Sequence, residues 1–227
     1  MAFTHRDDFH GLFSEIKRVQ MNETRYYDCG GGFAYPSVTS VISHQKAEFF
    51  AKWRKRVGEE EANRKSKHAT TRGTKLHTLF EHFLNNEEYE NLPEYEVPLV
   101  NLMFKYAKSH LEQHVDNIFE QETQMYSDRL CLAGTVDLIA EWDGELAVID
   151  FKTSAAAKPE KWLEDYFVQL SAYWAMFSEK TGVVPKKLVV FLVGENGDIQ
   201  IVERRNIMDY LKTLRDYASK FAEYHNA

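Results

Sequence analysis

The dipeptide Asp143-Gly144 constrains this chain more than any other feature of its sequence. It lies between two segments of period-two alternation, LCLAGTVDLIAEW and ELAVIDFK. A two-residue type I′ hairpin loop needs φ > 0 at both central residues, which is what Asp-Gly supplies. With those two as the loop, Trp142 lies opposite Glu145, Asp137 opposite Asp150 and Thr135 opposite Lys152. Directly opposed residues share a sheet face, so Thr135, Asp137, Asp150 and Lys152 are expected to project from one side. The other face carries Val136, Leu138, Ala140, Trp142, Ala147, Ile149 and Phe151 and is expected to be the core side.

Two carboxylates set directly across a ladder, with Cβ atoms about 4.5–5.5 Å apart, repel each other. A nearby lysine neutralises only one of them. A hard divalent cation held by both relieves the repulsion, and Mg²⁺ suits carboxylate oxygens with retained waters. Lys152, on the same face, is placed to orient or deprotonate a water or to stabilise transition-state charge. That combination suits phosphodiester hydrolysis. A bare D-x-K is common by chance, and an exposed Asp-Lys cluster on an open sheet face is the plain alternative. D-(x)₁₂-D-x-K across a hairpin with an apolar opposite face is far more specific.

The rest of the chain supports one α/β (α+β) domain over residues 1–227. No repeat or linker divides it, and 44% hydrophobic residues in 227 are enough for a single core. The first 30 or so residues read as a short amphipathic helix followed by an extended RYYD segment, and Gly30-Gly31-Gly32 as a turn. Residues 44–85 and 98–116 read as helical. NIFEQETQMYS and the two hairpin segments read as three successive strands, Pro159 to Glu179 as a long helix, KKLVVFLVG and DIQIVER as two more strands, and the end as a helix. Mean hydropathy is −0.50, and no apolar run approaches the roughly 18 residues of a membrane span. Two cysteines, Cys29 and Cys131, are too few for a Cys-ligated iron–sulfur cluster. No secretory signal is read, so a cytoplasmic setting is expected.

Net charge is −7, which argues against indiscriminate coating of nucleic acid but not against a local basic groove. Basic residues do cluster: Lys52, Arg54, Lys55 and Arg56, then Arg64, Lys65, Lys67, Arg72 and Lys75. Phe49, Phe50 and Trp53, interspersed with the first group, are expected in the core, stacking on bases being the alternative.

At this point the residues resemble a known family. GTVDLIAEWDGELAVIDFKTS resembles the signature of the PD-(D/E)XK nuclease superfamily, in the form of its RecB-like exonuclease branch. YFVQLSAYWAMF matches that branch's Q-x-x-x-Y motif through Gln169 and Tyr173, and RGTKLHTLFEHF its histidine-bearing helix through His77. Together with YPSVTSVI, the set is most similar to the mitochondrial genome maintenance exonucleases and their phage relatives, over about residues 35–205. The resemblance implies a restriction-endonuclease-like mixed central sheet flanked by helices, with an N-terminal helical segment (about 37–85) covering the active-site groove. It implies His77, Asp137, Asp150 and the Phe151 backbone carbonyl as metal ligands, with Glu122 a further one, although Glu120 shares its strand parity. Lys152 would be the catalytic lysine, acting with Asp137, Asp150, Gln169 and Tyr173. Ser37, Thr39, Arg72, Thr153, Ser154, Gln169 and Tyr173 would contact nucleic acid.

The expected function is therefore a Mg²⁺- or Mn²⁺-dependent DNA exonuclease using one or two ions and no iron–sulfur cluster, on single strands or DNA ends. A structure-specific or nicking endonuclease, or a non-catalytic nucleic-acid-binding module, are the alternatives. The expected partners are single-stranded DNA and a helicase or single-strand-binding protein, with no membrane. The chain is expected to be a monomer in the cytoplasm (a host's, if phage-encoded) acting on nucleoid DNA in replication or recombination.

Overall fold

The computed structural model describes residues 2–226 apart from His10, Ser14 and Glu23. Three short strands come first: β1 (Lys17–Met21), β2 (Thr24–Asp28) and β3 (Ala34–Pro36), paired antiparallel in that order. Among the described residues no helix forms where the sequence suggested one. Residues 17–21 and 24–28 pair as a hairpin instead, with Ile16 and Tyr27 buried beside Ala133 of the second sheet, a contact that local sequence does not show. Gly30, Gly31 and Gly32 all take left-handed backbone, with φ of 83°, 61° and 83°, and turn the chain from β2 into β3.

Three helices follow, α1 (Val38–Gln45), α2 (Ala47–Val57) and α3 (Glu59–Leu84), then α4 (Pro98–His114). The second sheet takes β4 (Val115–Ser127), β5 (Leu132–Trp142), β6 (Glu145–Ser154), β7 (Lys187–Gly194) and β8 (Ile199–Arg204) in simple sequence order. All its pairs are antiparallel except β6 with β7. A parallel pair needs a crossover. Here it is a 3₁₀ turn (Glu160–Trp162) and α5 (Glu164–Thr181), two pieces where the sequence suggested one helix from Pro159. The last helix is α6 (Ile207–Asn226).

The core is two-sided, as a central sheet flanked by helices requires, although the hairpin's alternation alone marked only one face as core. α3 and α4 cover one face, packing Leu76, Phe80 and Phe104 on Leu138, Ala140, Ile149, Phe151 and Phe191. α1, α5 and α6 cover the other, packing Val41, Phe167, Tyr173 and Leu214 on Val136, Ile139, Val148 and Val190. The parallel neighbour β7 accordingly reads as an unbroken buried run. Val136 packs opposite to Leu138, so strict alternation along β5 fails at Asp137. Among the described residues no helix is long and apolar enough to cross a membrane.

Candidate active site

The hairpin forms with the register set by its turn: Asp143 and Gly144 have φ of 50° and 74°, and pairing runs from Trp142↔Glu145 to Leu138↔Ile149. There the ladder between β5 and β6 stops. Asp137 and Asp150 are not paired across it, which corrects the expectation from the hairpin. Asp137 instead accepts the Phe151 amide hydrogen on Oδ2, at 2.8 Å. The side chain thus takes the place of a strand carbonyl at this point. The gap lies between the two helical layers, so residues of both reach it.

From α3 comes His77. Its Nδ1 lies 3.7 Å from Glu122 Oε1 and 3.8 Å from Asp137 Oδ2, and its Nε2 lies 2.9 Å from the carbonyl oxygen of Phe151. His77, Glu122 and Asp137 present one ligand atom each within 4.8 Å of one another, the one such group among the described residues. Burial disfavours the charged imidazole, but Asp137 and Glu122 outweigh it and raise its pKa to about 9.

Glu122 sits on β4 across from Asp137, between the pairs Gln121↔Leu138 and Thr123↔Val136. Its φ of 47° is rare for a side chain other than glycine, and such strain gathers at functional sites. Register shifts at Asp116–Ile118 and Ile118–Glu120 precede it, so parity could not distinguish it from Glu120. Glu120 instead accepts a hydrogen bond from Thr123 at 2.7 Å. Glu122→Gln is expected to lower activity on the order of a hundredfold, as loss of one charge-bearing group at a reacting centre does. Glu120→Gln is expected to leave it within about twofold, and equal losses in steady-state cleavage would remove Glu122 from the site.

On the other side of the gap lies Asp150, which stands outside the group of three. Its carboxylate is held by the Lys152 ammonium at 2.7 Å and the Gln169 amide at 3.1 Å. Burial and the Asp137 carboxylate push the Asp150 carboxyl upward, against the opposing pull of Lys152. For Lys152 burial favours the neutral amine, yet Asp150 and Asp137 outweigh it and raise the pKa. The same ammonium lies 5.1 Å from the Tyr166 ring centre, a cation–π contact.

Gln169 and Tyr173, four apart on α5, lie 3.5 Å apart at their polar ends. Burial holds the Tyr173 hydroxyl well above its ordinary pKa. The Tyr173 ring occupies the space a Cβ on Gly134 would need, its Cε1 only 2.7 Å away. Glycine in the GTVD stretch is therefore a packing requirement of this tyrosine. Tyr27, which no local signal singled out, reaches Thr135 Oγ1 at 3.4 Å from β2.

The residues expected to touch nucleic acid are placed less openly. Ser37 is buried as the N-cap of α1, its Oγ accepting from the Ser40 amide and meeting the Thr39 hydroxyl. Ser154 donates its hydroxyl to the Ala156 carbonyl, and Thr153 lies beside Gly73. Arg72 is buried and ion-paired to Glu195, beyond β7, so its guanidinium is committed within the fold. Breaking a buried pair strands the remaining charge. Arg72→Met is therefore expected to destabilise the protein by about 3 kcal/mol, the low end for such pairs because Glu195 stays 28% exposed. An unchanged denaturation midpoint would show that Arg72 carries no structural load.

A mixed sheet that parts over two carboxylates and an imidazole, with a buried carboxylate–lysine pair alongside, brings together a donor set of the kind that can hold a metal ion. The family model of the PD-(D/E)XK nuclease superfamily matches residues 43–225, and the chain belongs to that superfamily. Human mitochondrial genome maintenance exonuclease 1 is 26% identical over 157 residues, which are 64% of this chain and 44% of that protein. The match thus spans less than half the length of that relative. A solved structure of a provisionally named exonuclease from Eubacterium rectale has a TM-score of 0.44 and 16% identity, covering 70% of this chain and 67% of its own.

Proposed function

We propose that this protein is a divalent-metal-dependent DNA exonuclease acting on single strands or DNA ends. The observation that carries the reading is the convergence of His77, Glu122 and Asp137 beside the Asp150–Lys152 pair, where β5 and β6 part. Two carboxylates within 4.8 Å of one imidazole form a hard-donor group with excess negative charge, and it fits Mg²⁺ or Mn²⁺. Those three residues would hold one or two such ions, Asp150 and the Phe151 carbonyl being the neighbouring donors. A bound cation supplies a polarised phosphate and a water of lowered pKa.

The protein's own groups divide the remaining work. Lys152, ion-paired to Asp150, would serve as a donor to the attacking water and to developing negative charge on the phosphate. Gln169 anchors Asp150, and Asp150 in turn aims the lysine. Tyr173 and Gln169 shape the wall against which the strand would lie, and Thr153 and Ser154 border it.

The segment 37–85 supports the preference for ends. α1 packs on one face of the sheet and the second half of α3 on the other. Their feet, Ser37 bridging Ala133 and Gly73 beside Thr153, flank the end of the sheet where the strands part. We read the stretch between as crossing that end, an arrangement that would admit a strand with its end leading. The relative's name, an exonuclease of genome maintenance, agrees. Duplex substrates would need a helicase or strand-binding partner.

End-labelled linear and circular single-stranded DNA, incubated with and without Mn²⁺, test the proposal. Linear DNA should shorten only with metal while circles persist. Cut circles would mean an endonuclease, and binding without cleavage of either a non-catalytic module. Asp150→Ala and Lys152→Ala variants that cut at the original rate would refute the site assignment.

A further inference from the structure

Helix α2 has no buried residue. Phe49 and Phe50 are 64% and 47% exposed, and with the half-buried Trp53 they join none of the three core clusters. This overturns the expectation that they lie in the core. At spacing i, i+1, i+4 the three rings occupy one arc of the helix, about 100° wide. They touch mainly one another, with centroids 5.6 Å apart for Phe49–Phe50 and 6.4 Å for Phe50–Trp53. Leaving such rings in water forgoes a large burial free energy, so the fold itself supplies no reason for them.

The surrounding charge supplies one. α2 carries Lys52, Arg54, Lys55 and Arg56 against the single acid Glu48, on a chain whose net charge is −7. Arg54 is bound to Glu59 and Asn63 and sets the corner between α2 and α3, and Lys52 pairs with Glu48 on the surface. Lys55 and Arg56 are exposed and make no ion pair among the described residues. Aromatic faces rimmed by free cations are the means by which proteins hold single strands without regard to sequence. The helix also directly precedes α3, the helix that carries His77.

We infer that α2 is a base-stacking platform for single-stranded DNA, with Phe49, Phe50 and Trp53 against the bases and Lys55 and Arg56 on the phosphates. The inference rests on the nuclease reading for its ligand, but binding alone tests it. An anionic bilayer is the competing partner for a basic aromatic helix, and membership of a nuclease superfamily, whose match includes α2, favours the strand.

The measurement is fluorescence anisotropy of a labelled oligothymidylate of about twenty nucleotides, with EDTA present so that cleavage plays no part. Phe49→Ala/Phe50→Ala/Trp53→Ala should weaken binding by at least about tenfold with an unchanged melting temperature, and Trp53→Phe should retain most of it. An abasic strand of the same length should bind the original protein weakly and the triple variant equally weakly. Unchanged affinity of the triple variant overturns the platform, and so does equal binding of abasic and thymidylate strands. Binding to phosphatidylserine vesicles that the triple variant loses, without a loss of DNA affinity, assigns the helix to a membrane surface and overturns it too. Platform binding in a protein that never cleaves with Mn²⁺ would sustain this inference while refuting the nuclease reading.

Discussion

Asp137→Asn is expected to lower the rate of DNA cleavage about 10²–10³-fold and to leave the metal-free fold almost untouched. The amide keeps an oxygen to accept the Phe151 amide hydrogen, which Asp137 Oδ2 now takes at 2.8 Å, so metal-free stability should change by less than about 1 kcal/mol. What disappears is one of the two negative charges facing His77 Nδ1. A ligand that binds only the folded state raises its stability by mass action. Millimolar Mn²⁺ should therefore raise the melting temperature of the original protein and not that of Asp137→Asn. An equal rise in both would place the metal elsewhere, whatever happens to the rate.

Gly134→Ala should be nearly as damaging, through a residue that touches no substrate. The added methyl group would lie 2.7 Å from Tyr173 Cε1 and 2.9 Å from its hydroxyl, so the ring or the strand must move. Overpacking of this kind costs about 1–3 kcal/mol. Tyr173 meets Gln169, Gln169 holds Asp150 and Asp150 holds Lys152, so the displacement runs to the reacting centre. Misplacement of about 1 Å costs roughly a hundredfold in rate. The double variant Gly134→Ala/Tyr173→Ala separates the two effects. Relief of the clash should make the pair less destabilising than the sum of the single changes, a coupling read from denaturation midpoints. Strict additivity would mean that the glycine is not there for the tyrosine.

The parts of this molecule legible in its sequence are those set by short-range geometry. Asp143-Gly144 determined a type I′ turn, the turn determined the register from Trp142↔Glu145 to Leu138↔Ile149, and the register placed Asp150 and Lys152 on one face. Motif spacing on α5 put Gln169 and Tyr173 on one side of a helix. The superfamily was legible too, because its motifs occur as short runs in a fixed order. Tertiary structure alone decided the rest. It ended the ladder at Leu138↔Ile149, beyond which the Phe151 amide bonds the Asp137 side chain in place of a β5 carbonyl. It chose Glu122 over Glu120 through two register shifts and a left-handed residue. It locked Arg72 to Glu195 across 123 residues, covered both faces of the sheet and left Phe49 and Phe50 in solvent. Each of these depends on which distant surface arrives to satisfy a charge, an amide or an apolar face, and period and spacing carry no record of that.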